Sequence, residues 1–338
     1  MMPAAGPIWA CVAPDDRVGD IDQVKAIAGA LDPGFLCVDL AREYDRLRRC
    51  AQDHATRYPR AIVGIGRKRI AMAAEIRSWS GGLTKLIHIG RDRGNLGRLD
   101  CLVTTPAFPV AAGAKVLSLP IVPSDRIRQL LAGTEGAARS PFATLAPEGI
   151  RAPWINVFLG NPLRGDVAVR GQRLMALAAQ LDRLALASGH DLLISGSPRT
   201  APECYDRLSE ALASRHHLYR WRPDDPRNPF ETMLLGARDS VVTADSITMI
   251  SQLVAAGHRT LIFPWRVRNG RPPSALRRLF AGRSGGPIAR GKDVDALCAG
   301  LYRERLAAPL EGAAGFDAVF PQPDLQDRLF QRLRDCLR

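Results

Sequence analysis

Hydroxyl-bearing and basic residues follow a short apolar run in the second half of the chain. Leu192–Ser195 leads into the segment 196–200, which reads GSPRT. A glycine in such a turn lets the backbone approach a ligand closely. Ser197 and Thr200 can hydrogen-bond a phosphate, and Arg199 can clamp it with two parallel N–H donors. The segment predicts either a phosphate-binding loop or a turn with an exposed arginine.

A second segment of this kind spans residues 240–257. An apolar strand ends at Thr243, Asp245 and Ser246 stand where a helix N-cap is expected, and apolar residues then recur at helical spacing. The first turn of such a helix offers free backbone N–H groups and the positive end of the helix dipole, which attract phosphate. The alternative is an ordinary helix capped by Asp245.

A third loop, at residues 224–239, places Asn228-Pro229 at the start of a short helix. Such a loop could contact the base or ribose of a nucleotide, although loops of this kind are more often simple turns. A binding site for a diphosphate requires phosphate-binding residues on more than one loop. In this domain, two strands are followed by loops with such residues.

The first half of the chain carries an acidic loop after its first apolar strand. Residues 14–23 form a polar segment with Gly19 at its centre and Asp16, Asp20 and Asp22 around it. Mutual repulsion of such carboxylates raises some of their pKa values, so one of them can serve as a general base. The alternative is that Asp20 or Asp22 caps the helix predicted from Gln23.

Another loop, GIGRKRI at residues 64–70, places Gly66 before Arg67 at a helix start. It echoes a glycine-rich phosphate loop, but Arg69 occupies the position of the third glycine in the dinucleotide fingerprint. Neither that fingerprint nor a Walker A motif is present in the sequence.

The elements that must position these loops alternate between strand and helix throughout, which predicts two doubly wound domains with parallel sheets. We expect an N-terminal domain over 1–135, a linker over 136–152 and a C-terminal domain over 153–322. Residues 323–338 form a final helix. In such sheets, ligands bind beyond the carboxyl ends of the strands, where the loops described above lie.

Composition limits the class of protein. The 338 residues are 46% hydrophobic and 24% charged, with a net charge of +13, which is typical of a globular chain with an anionic partner. An Arg-rich composition accounts for the charge equally well. Seven scattered Cys predict neither a disulfide framework nor a zinc site. The beginning of the chain lacks a signal-peptide pattern, and no apolar run is long enough to span a membrane.

One segment, residues 266–292, holds eight basic residues and no acidic residue. It predicts contact with an anionic membrane surface, and a solvated basic loop is equally compatible with it. Low aromatic content, at 6%, argues against nucleic-acid binding.

Taken together, the motifs resemble the mitochondrial-fission ELM family, a bacterial and plant group described as glycosyltransferases. The resemblance rests on VTADSITMISQLVAAG, SGSPRTAP, NPFETMLLGARDSVVTADS, DDRVGDIDQ and GRKRIAMA, and it runs from about residue 10 to 265. It implies a GT-B fold, in which two Rossmann-like domains face a cleft and a final helix crosses back to the first domain.

The resemblance also implies where ligands bind. It places a nucleotide-sugar donor in the second domain among Ser197, Arg199, Thr200, Asn228, Thr243, Asp245, Ser246, Met249, Ser251 and Gln252. It places cleft loops of the first domain at Arg17, Gly19, Gly66 and Arg67. Asp20 stands where the family has a histidine, Gln252 where it has a glutamate, and residues 106–109 lack its polar pair.

We therefore expect a metal-independent glycosyltransferase without a cofactor. Asp20 would deprotonate the acceptor hydroxyl of a cell-envelope glycolipid or polysaccharide. The protein would be cytoplasmic, with contact at the inner membrane surface through 266–292. The main alternative is a membrane-associated scaffold that keeps the fold and binds a nucleotide without catalysis. A third hypothesis is a nucleotide-sugar epimerase with bound NAD, which is disfavoured because the sequence lacks the dinucleotide-binding fingerprint.

Overall fold

The computed structural model describes residues 6–13, 16–50, 57–91, 96–108, 110–134, 150, 153–160, 167–264 and 293–337. The chain forms two compact units. Of the described residues, those from 6 to 129, Asp293 and those from 324 to 337 belong to the first unit, and those from 130 to 264 and from 294 to 323 belong to the second. The predicted linker 136–152 lies outside the described residues except for Ile150, and the basic segment 266–292 lies outside them entirely.

The first unit is built on a parallel sheet of six strands in the order β2-β1-β3-β4-β5-β6. The strands are β1 (Ile8–Cys11), β2 (Leu36–Val38), β3 (Ala61–Gly64), β4 (Lys85–Ile89), β5 (Cys101–Thr104) and β6 (Val116–Ser118). The helices between and after them are α1 (Val18–Leu31), α2 (Leu40–Cys50), α3 (Arg67–Trp79) and α4 (Asp125–Thr134), with a 3₁₀ turn at Leu96–Arg98. Strands β1, β3 and β5 are buried along their whole length, as strands covered by helices on both faces are.

The second unit repeats this plan with the strand order β12-β11-β10-β7-β8-β9. The strands are β7 (Trp154–Phe158), β8 (Asp191–Ser195), β9 (His216–Tyr219), β10 (Asp239–Thr243), β11 (Arg259–Phe263) and β12 (Ala308–Pro309). The helices are α5 (Val167–Ser188), α6 (Pro202–Ala211), α7 (Phe230–Leu235), α8 (Ile247–Ala255) and α9 (Val294–Arg303). All pairings between these strands are parallel.

A final helix, α10 (Leu325–Leu337), packs on the first unit against α1. Leu325, Leu329 and Leu333 are buried at the i, i+4 spacing seen in the sequence. The Gln326 carboxamide donates to the carbonyl of Ser124 at 3.0 Å and accepts from its N–H at 3.2 Å. Two doubly wound parallel sheets, with a last helix returning to the first unit, confirm the predicted GT-B-like class.

Some predicted boundaries are wrong. Helix α1 begins at Val18 rather than at Gln23, so the predicted polar loop with Gly19 at its centre is helical in its second half. Helix α2 spans Leu40–Cys50, and residues 51–56 lie outside the described part. Among the described residues, no helix is both long and apolar enough to cross a bilayer.

A buried polar network holds the short helix α7 against the sheet. Asn156 on β7 accepts from the Trp154 indole at 2.9 Å and donates to the carbonyls of Met233 and Ala237, both at 2.9 Å. His258 lies 2.8 Å from the carbonyl of Leu234 through Nε2 and 2.7 Å from the Ser240 hydroxyl through Nδ1. These side chains satisfy carbonyls at the end of α7 that its own helix leaves unpaired.

His258 makes stability depend on pH. Because Leu234 offers only a carbonyl, Nε2 carries a proton, and in the neutral imidazole Nδ1 then accepts from the Ser240 hydroxyl. Burial lowers the pKa of His258 from 6.5 to about 4. The unfolded chain therefore binds this proton more readily, and the stabilisation by neutral His258 is complete above pH 6.5 and lost as the pH falls towards 4.

We predict that His258→Gln lowers the free energy of unfolding by about 1–3 kcal/mol at pH 7. The difference in free energy of unfolding between the wild type and the variant should be smaller by roughly 2 kcal/mol at pH 4.5, because only the wild type loses the contribution of the histidine. Urea unfolding at both pH values measures the two differences. A difference of equal size at both pH values would contradict the assignment of a buried neutral imidazole.

Candidate functional site

Three loops of the second unit meet at one edge of its sheet. Strand β7 lies between β10 and β8, with Phe158 opposite Val242 on one side and Ser195 on the other. Since all three strands are parallel, the segments that follow them emerge at the same carboxyl edge. Gly160, which follows β7, therefore lies at this edge between the predicted loop at 196–200 and the predicted turn at 243–246.

Thr200 is the central residue of this edge. Its Oγ1 lies 3.0 Å from the carbonyl oxygen of Leu159 and 2.6 Å from that of Gly160. It also accepts from the backbone N–H of Ser197 at 2.8 Å, and the two hydroxyls lie 3.0 Å apart. Both side chains are buried. The hydroxyl groups predicted to bind phosphate thus shape the loop from within.

Arg199 is the residue of the loop that faces solvent. Its backbone N–H donates to Ser197 Oγ at 3.3 Å, which fixes the turn, and its side chain is exposed. No side chain or carbonyl in the described part of the chain binds its guanidinium. Arg199 therefore presents a positive charge at the edge, ready for an anion.

Gly160 and Asp245 are in close contact. The Gly160 N–H donates to Thr243 Oγ1 at 2.8 Å, and the Thr243 hydroxyl donates to Asp245 Oδ1 at 2.7 Å. A Cβ atom at Gly160 would overlap the Asp245 carboxylate. A carboxylate repels diphosphate, so Asp245 is suited to orient Thr243 or to accept from a ligand hydroxyl, not to bind phosphate.

The alternative interpretation of residues 240–257, a helix capped by Asp245, is wrong by one residue. Ser246, not Asp245, is the N-cap, and its Oγ accepts from the N–H of Met249 at 3.4 Å. Within the helix, the N–H groups of Ile247 and Thr248 have no partner, so they remain available at the edge. Ser251 and Gln252, expected near the donor, lie buried on the next turn.

Asn228 stands at the start of α7 beside this edge. Its Oδ1 accepts from the N–H of Phe230 at 3.1 Å, and the Phe230 ring packs edge-on against Phe158 with 5.8 Å between centroids. The half-buried Asn228 thus lies two residues before the helix, and the predicted start is wrong by one residue, since Pro229 is the N-cap and not the first helical residue. In the same loop, the N–H of Arg227 lowers the pKa of Asp225.

In the first unit, the predicted acidic loop has a different structure. Arg17 is the exposed N-cap of α1 without a side-chain cap bond, and Gly19 and Asp20 lie in the first helical turn. A carboxylate at this position favours the positive helix end. The alternative that Asp20 or Asp22 caps α1 is wrong, since Arg17 holds that position.

Two of the three carboxylates that the sequence places around this loop bind separate partners. Asp16 pairs with Arg69 at 2.8 Å. Asp22 accepts from the Ser124 hydroxyl at 2.6 Å and from the N–H of Arg126 at 2.8 Å, so it caps the distant helix α4. Each of these two carboxylates is therefore bound by a partner from another part of the unit.

The loop after β3 has a backbone conformation that favours glycine at position 66. Gly66 is the N-cap of α3 with a φ of 104°, a region that side-chain-bearing residues rarely adopt. Arg67 is exposed at the first position of the helix. This loop and Asp20 belong to the first unit, whereas Thr200, Arg199 and Asp245 belong to the second.

Sequence reasoning missed Gly160. Its only local signal is a glycine placed two residues after a buried strand, a pattern that becomes informative only when β7 is known to lie between β8 and β10. No cluster of three or more potential metal-binding side chains occurs within the described residues.

We predict that Gly160→Ala destabilises the second unit by about 1–3 kcal/mol, because the new methyl group displaces the Asp245 carboxylate and strains the edge. Gly315→Ala is the matched control, since a Cβ there meets nothing within 4 Å, and it should change stability by less than about 0.5 kcal/mol. Denaturant unfolding of both variants measures the difference. Equal stability of the two variants would contradict the close contact at Gly160.

Comparison with solved structures finds similar arrangements at low identity. Acinetobacter baumannii MurG is 11% identical over 98% of this chain and 95% of that chain, with a TM-score of 0.45. UDP-GlcNAc 2-epimerase from Methanocaldococcus jannaschii is 12% identical over 97% and 98%, with a TM-score of 0.49. WaaG, a glycosyltransferase involved in lipopolysaccharide biosynthesis, is 12% identical over 98% and 95%, with a TM-score of 0.36.

Sequence comparison identifies the family. No curated protein sequence matches the chain significantly. The profile of the family described as mitochondrial fission ELM1 matches residues 8–284, well over half of the 338 residues. The match includes the loops at 196–200 and 243–246, and it confirms the resemblance found in the motifs. The chain belongs to the mitochondrial fission ELM1 family.

Proposed function

We propose that the protein is a metal-independent glycosyltransferase that takes a sugar from a nucleotide-sugar donor bound by the second unit. The observation that carries this proposal is the edge formed by Gly160, Thr200 and the start of α8, with the exposed Arg199 beside it. A diphosphate needs several N–H donors and a positive charge in one place. This edge offers both.

The parts of the edge would act on different parts of the donor. The N–H groups of Ile247 and Thr248 and the Arg199 guanidinium would hold the diphosphate, and would stabilise its charge as it leaves. Asp245 and Gln252 would accept from donor hydroxyls. Asn228, at the start of α7, would contact the base or ribose. Charge on the leaving group is then neutralised by the protein itself, without a metal.

Transfer would proceed with Asp20 as the general base. The acceptor O–H gives its proton to the Asp20 carboxylate, the acceptor oxygen bonds to the anomeric carbon, and the bond from that carbon to the diphosphate oxygen breaks. The electron pair of that bond leaves with the nucleoside diphosphate. We further propose a glycolipid or polysaccharide of the cell envelope as acceptor, and a cytoplasmic protein that meets the inner membrane through residues 266–292.

A second candidate function is a scaffold that binds nucleotide without catalysis. It is favoured by the segment after β5, where Ala107 is fully buried and the Arg91 guanidinium lies 5.2 Å from the Phe108 ring. These residues offer no acid or base where the family has a polar pair. Donor binding without turnover in the presence of acceptors would support the scaffold.

We predict that one nucleotide sugar from a panel of UDP, GDP, CMP and dTDP sugars raises the thermal stability of the protein. At 100 times its dissociation constant it should stabilise by about 2.7 kcal/mol. Arg199→Ala should weaken this binding by roughly tenfold or more, since a charged hydrogen-bonding partner is lost.

The matched control for Arg199→Ala is Arg215→Ala. Arg215 is an exposed arginine of the same unit, but it precedes β9 at the opposite edge of the sheet. It should leave donor affinity unchanged. Equal loss of affinity in both variants would indicate a general effect of net charge and would contradict the placement of the diphosphate.

We predict that Asp20→Asn lowers kcat about 10²–10⁴-fold while the donor affinity stays the same, because the amide cannot accept the proton. Asp327→Asn, a first-turn aspartate of α10, is the control and should leave kcat unchanged. Steady-state kinetics with the donor identified by the panel measure both. Unchanged turnover in Asp20→Asn would exclude Asp20 as the base.

A further inference from the structure

A buried tyrosine lies directly behind the loop at 196–200. Tyr205, on α6, is only 4% exposed. A Cβ atom at Gly196 would overlap the hydroxyl oxygen and two ring carbons of this tyrosine. Glycine is therefore the residue that leaves room for the phenol at this point of the loop. Because Tyr205 is buried, its effect on a ligand at the edge must pass through the residues that it contacts.

The Tyr205 hydroxyl joins the segments that follow two neighbouring strands. It hydrogen-bonds the side chain of Thr200, in the loop after β8. It also accepts from the backbone N–H of Trp221, two residues after β9, at 3.4 Å. Burial raises the pKa of Tyr205, so the phenol keeps its proton at neutral pH. Since β8 pairs with β9, this hydroxyl connects two adjacent loops of the same edge.

The ring of Tyr205 is held in place as well. The Arg220 guanidinium lies 5.7 Å from the ring centroid, and it pairs with Asp206, the next residue on α6. A cation over an aromatic face is attracted to it at this distance. Arg220 directly precedes Trp221, so both the ring and the hydroxyl of Tyr205 attach α6 to the segment after β9.

The two segments joined by Tyr205 carry different parts of the proposed donor site. The loop after β8 presents Arg199, which would hold the diphosphate. The segment after β9 leads to Asn228, which would contact the base or ribose. This segment is turned back on itself, because the N–H of Asn228 donates to the carbonyl of Asp225 at 3.1 Å. A nucleotide that fills both subsites requires a fixed spacing between the two segments.

We propose that Tyr205 is a positioning residue, which couples the diphosphate subsite to the nucleoside subsite of the donor site. This inference rests on the proposed function for the identity of the ligand. A ligand that spans both loops depends on the Tyr205 hydroxyl, because that hydroxyl fixes the loops before binding. A ligand that occupies the diphosphate subsite alone does not depend on it.

The test compares Tyr205→Phe with the wild-type chain, because phenylalanine keeps the ring and removes only the hydroxyl. Calorimetric titration with UDP, GDP, CDP and dTDP identifies the nucleoside diphosphate that binds best, and inorganic pyrophosphate probes the diphosphate subsite alone. Tyr205→Phe should weaken binding of that nucleoside diphosphate about fivefold and binding of pyrophosphate less than about twofold. General damage to the fold would weaken both alike, so the ratio of the two dissociation constants isolates the positioning role.

Tyr302→Phe is the matched control for Tyr205→Phe. Tyr302 lies on α9 of the same unit, and its hydroxyl hydrogen-bonds Cys298 of the same helix rather than a loop of the edge. The substitution removes the same chemical group at a site that joins no loops. It should leave both dissociation constants unchanged.

The outcomes separate this inference from the proposed function. Unchanged binding of the nucleoside diphosphate in Tyr205→Phe, a parallel loss for pyrophosphate, or no pyrophosphate binding by the wild type would overturn the coupling and leave nucleotide binding standing. Absence of all nucleoside diphosphate binding by the wild type would reject the donor site and the coupling together. The predicted change in the ratio, without sugar transfer to any acceptor, would retain the coupling and reject the glycosyltransferase in favour of the scaffold.

Discussion

One hydroxyl group, that of Thr200, joins the ends of β7 and β8 and sets the path of the loop between β8 and α6. It meets two carbonyls of the segment after β7 and two groups of Ser197. With its polar atoms engaged inward, the loop turns Arg199 towards solvent. The proposed binding of an anion at this edge depends on this arrangement, because the Arg199 charge acts together with backbone N–H groups only where the loop fixes their positions.

Distant side chains complete helix ends in both units. Asp22 on α1 binds the N–H of Arg126 at the start of α4. Asn156 and His258 bind carbonyls at the end of α7, which begins at the candidate donor edge. Buried hydrogen bonds of this kind are costly to break, since the group left behind stays unsatisfied. They fix the helices that carry Asp20 and Asn228, so the geometry of both candidate sites depends on residues outside them.

Much of this could be predicted from the sequence, for physical reasons. Alternating strand and helix patterns predicted two parallel sheets, and polar residues after apolar strands indicated the edges. Roles that depend on distant partners could not be predicted. Asp16 pairs with Arg69 and Asp22 with Ser124, 53 and 102 residues away. Gly160 matters only because β7 lies between β8 and β10. The choice of Ser246 over Asp245 as cap depends on Thr243, which binds the Asp245 carboxylate.

The central claim is that the second unit binds the diphosphate of a nucleotide sugar at the Thr200 edge. Amide hydrogen exchange with and without a saturating nucleoside diphosphate tests it most directly. We expect slower exchange in the segments 196–200 and 246–249, with exchange at the amino edge of the same sheet unchanged. Slower exchange confined to other segments, or unchanged exchange throughout the second unit, would contradict it.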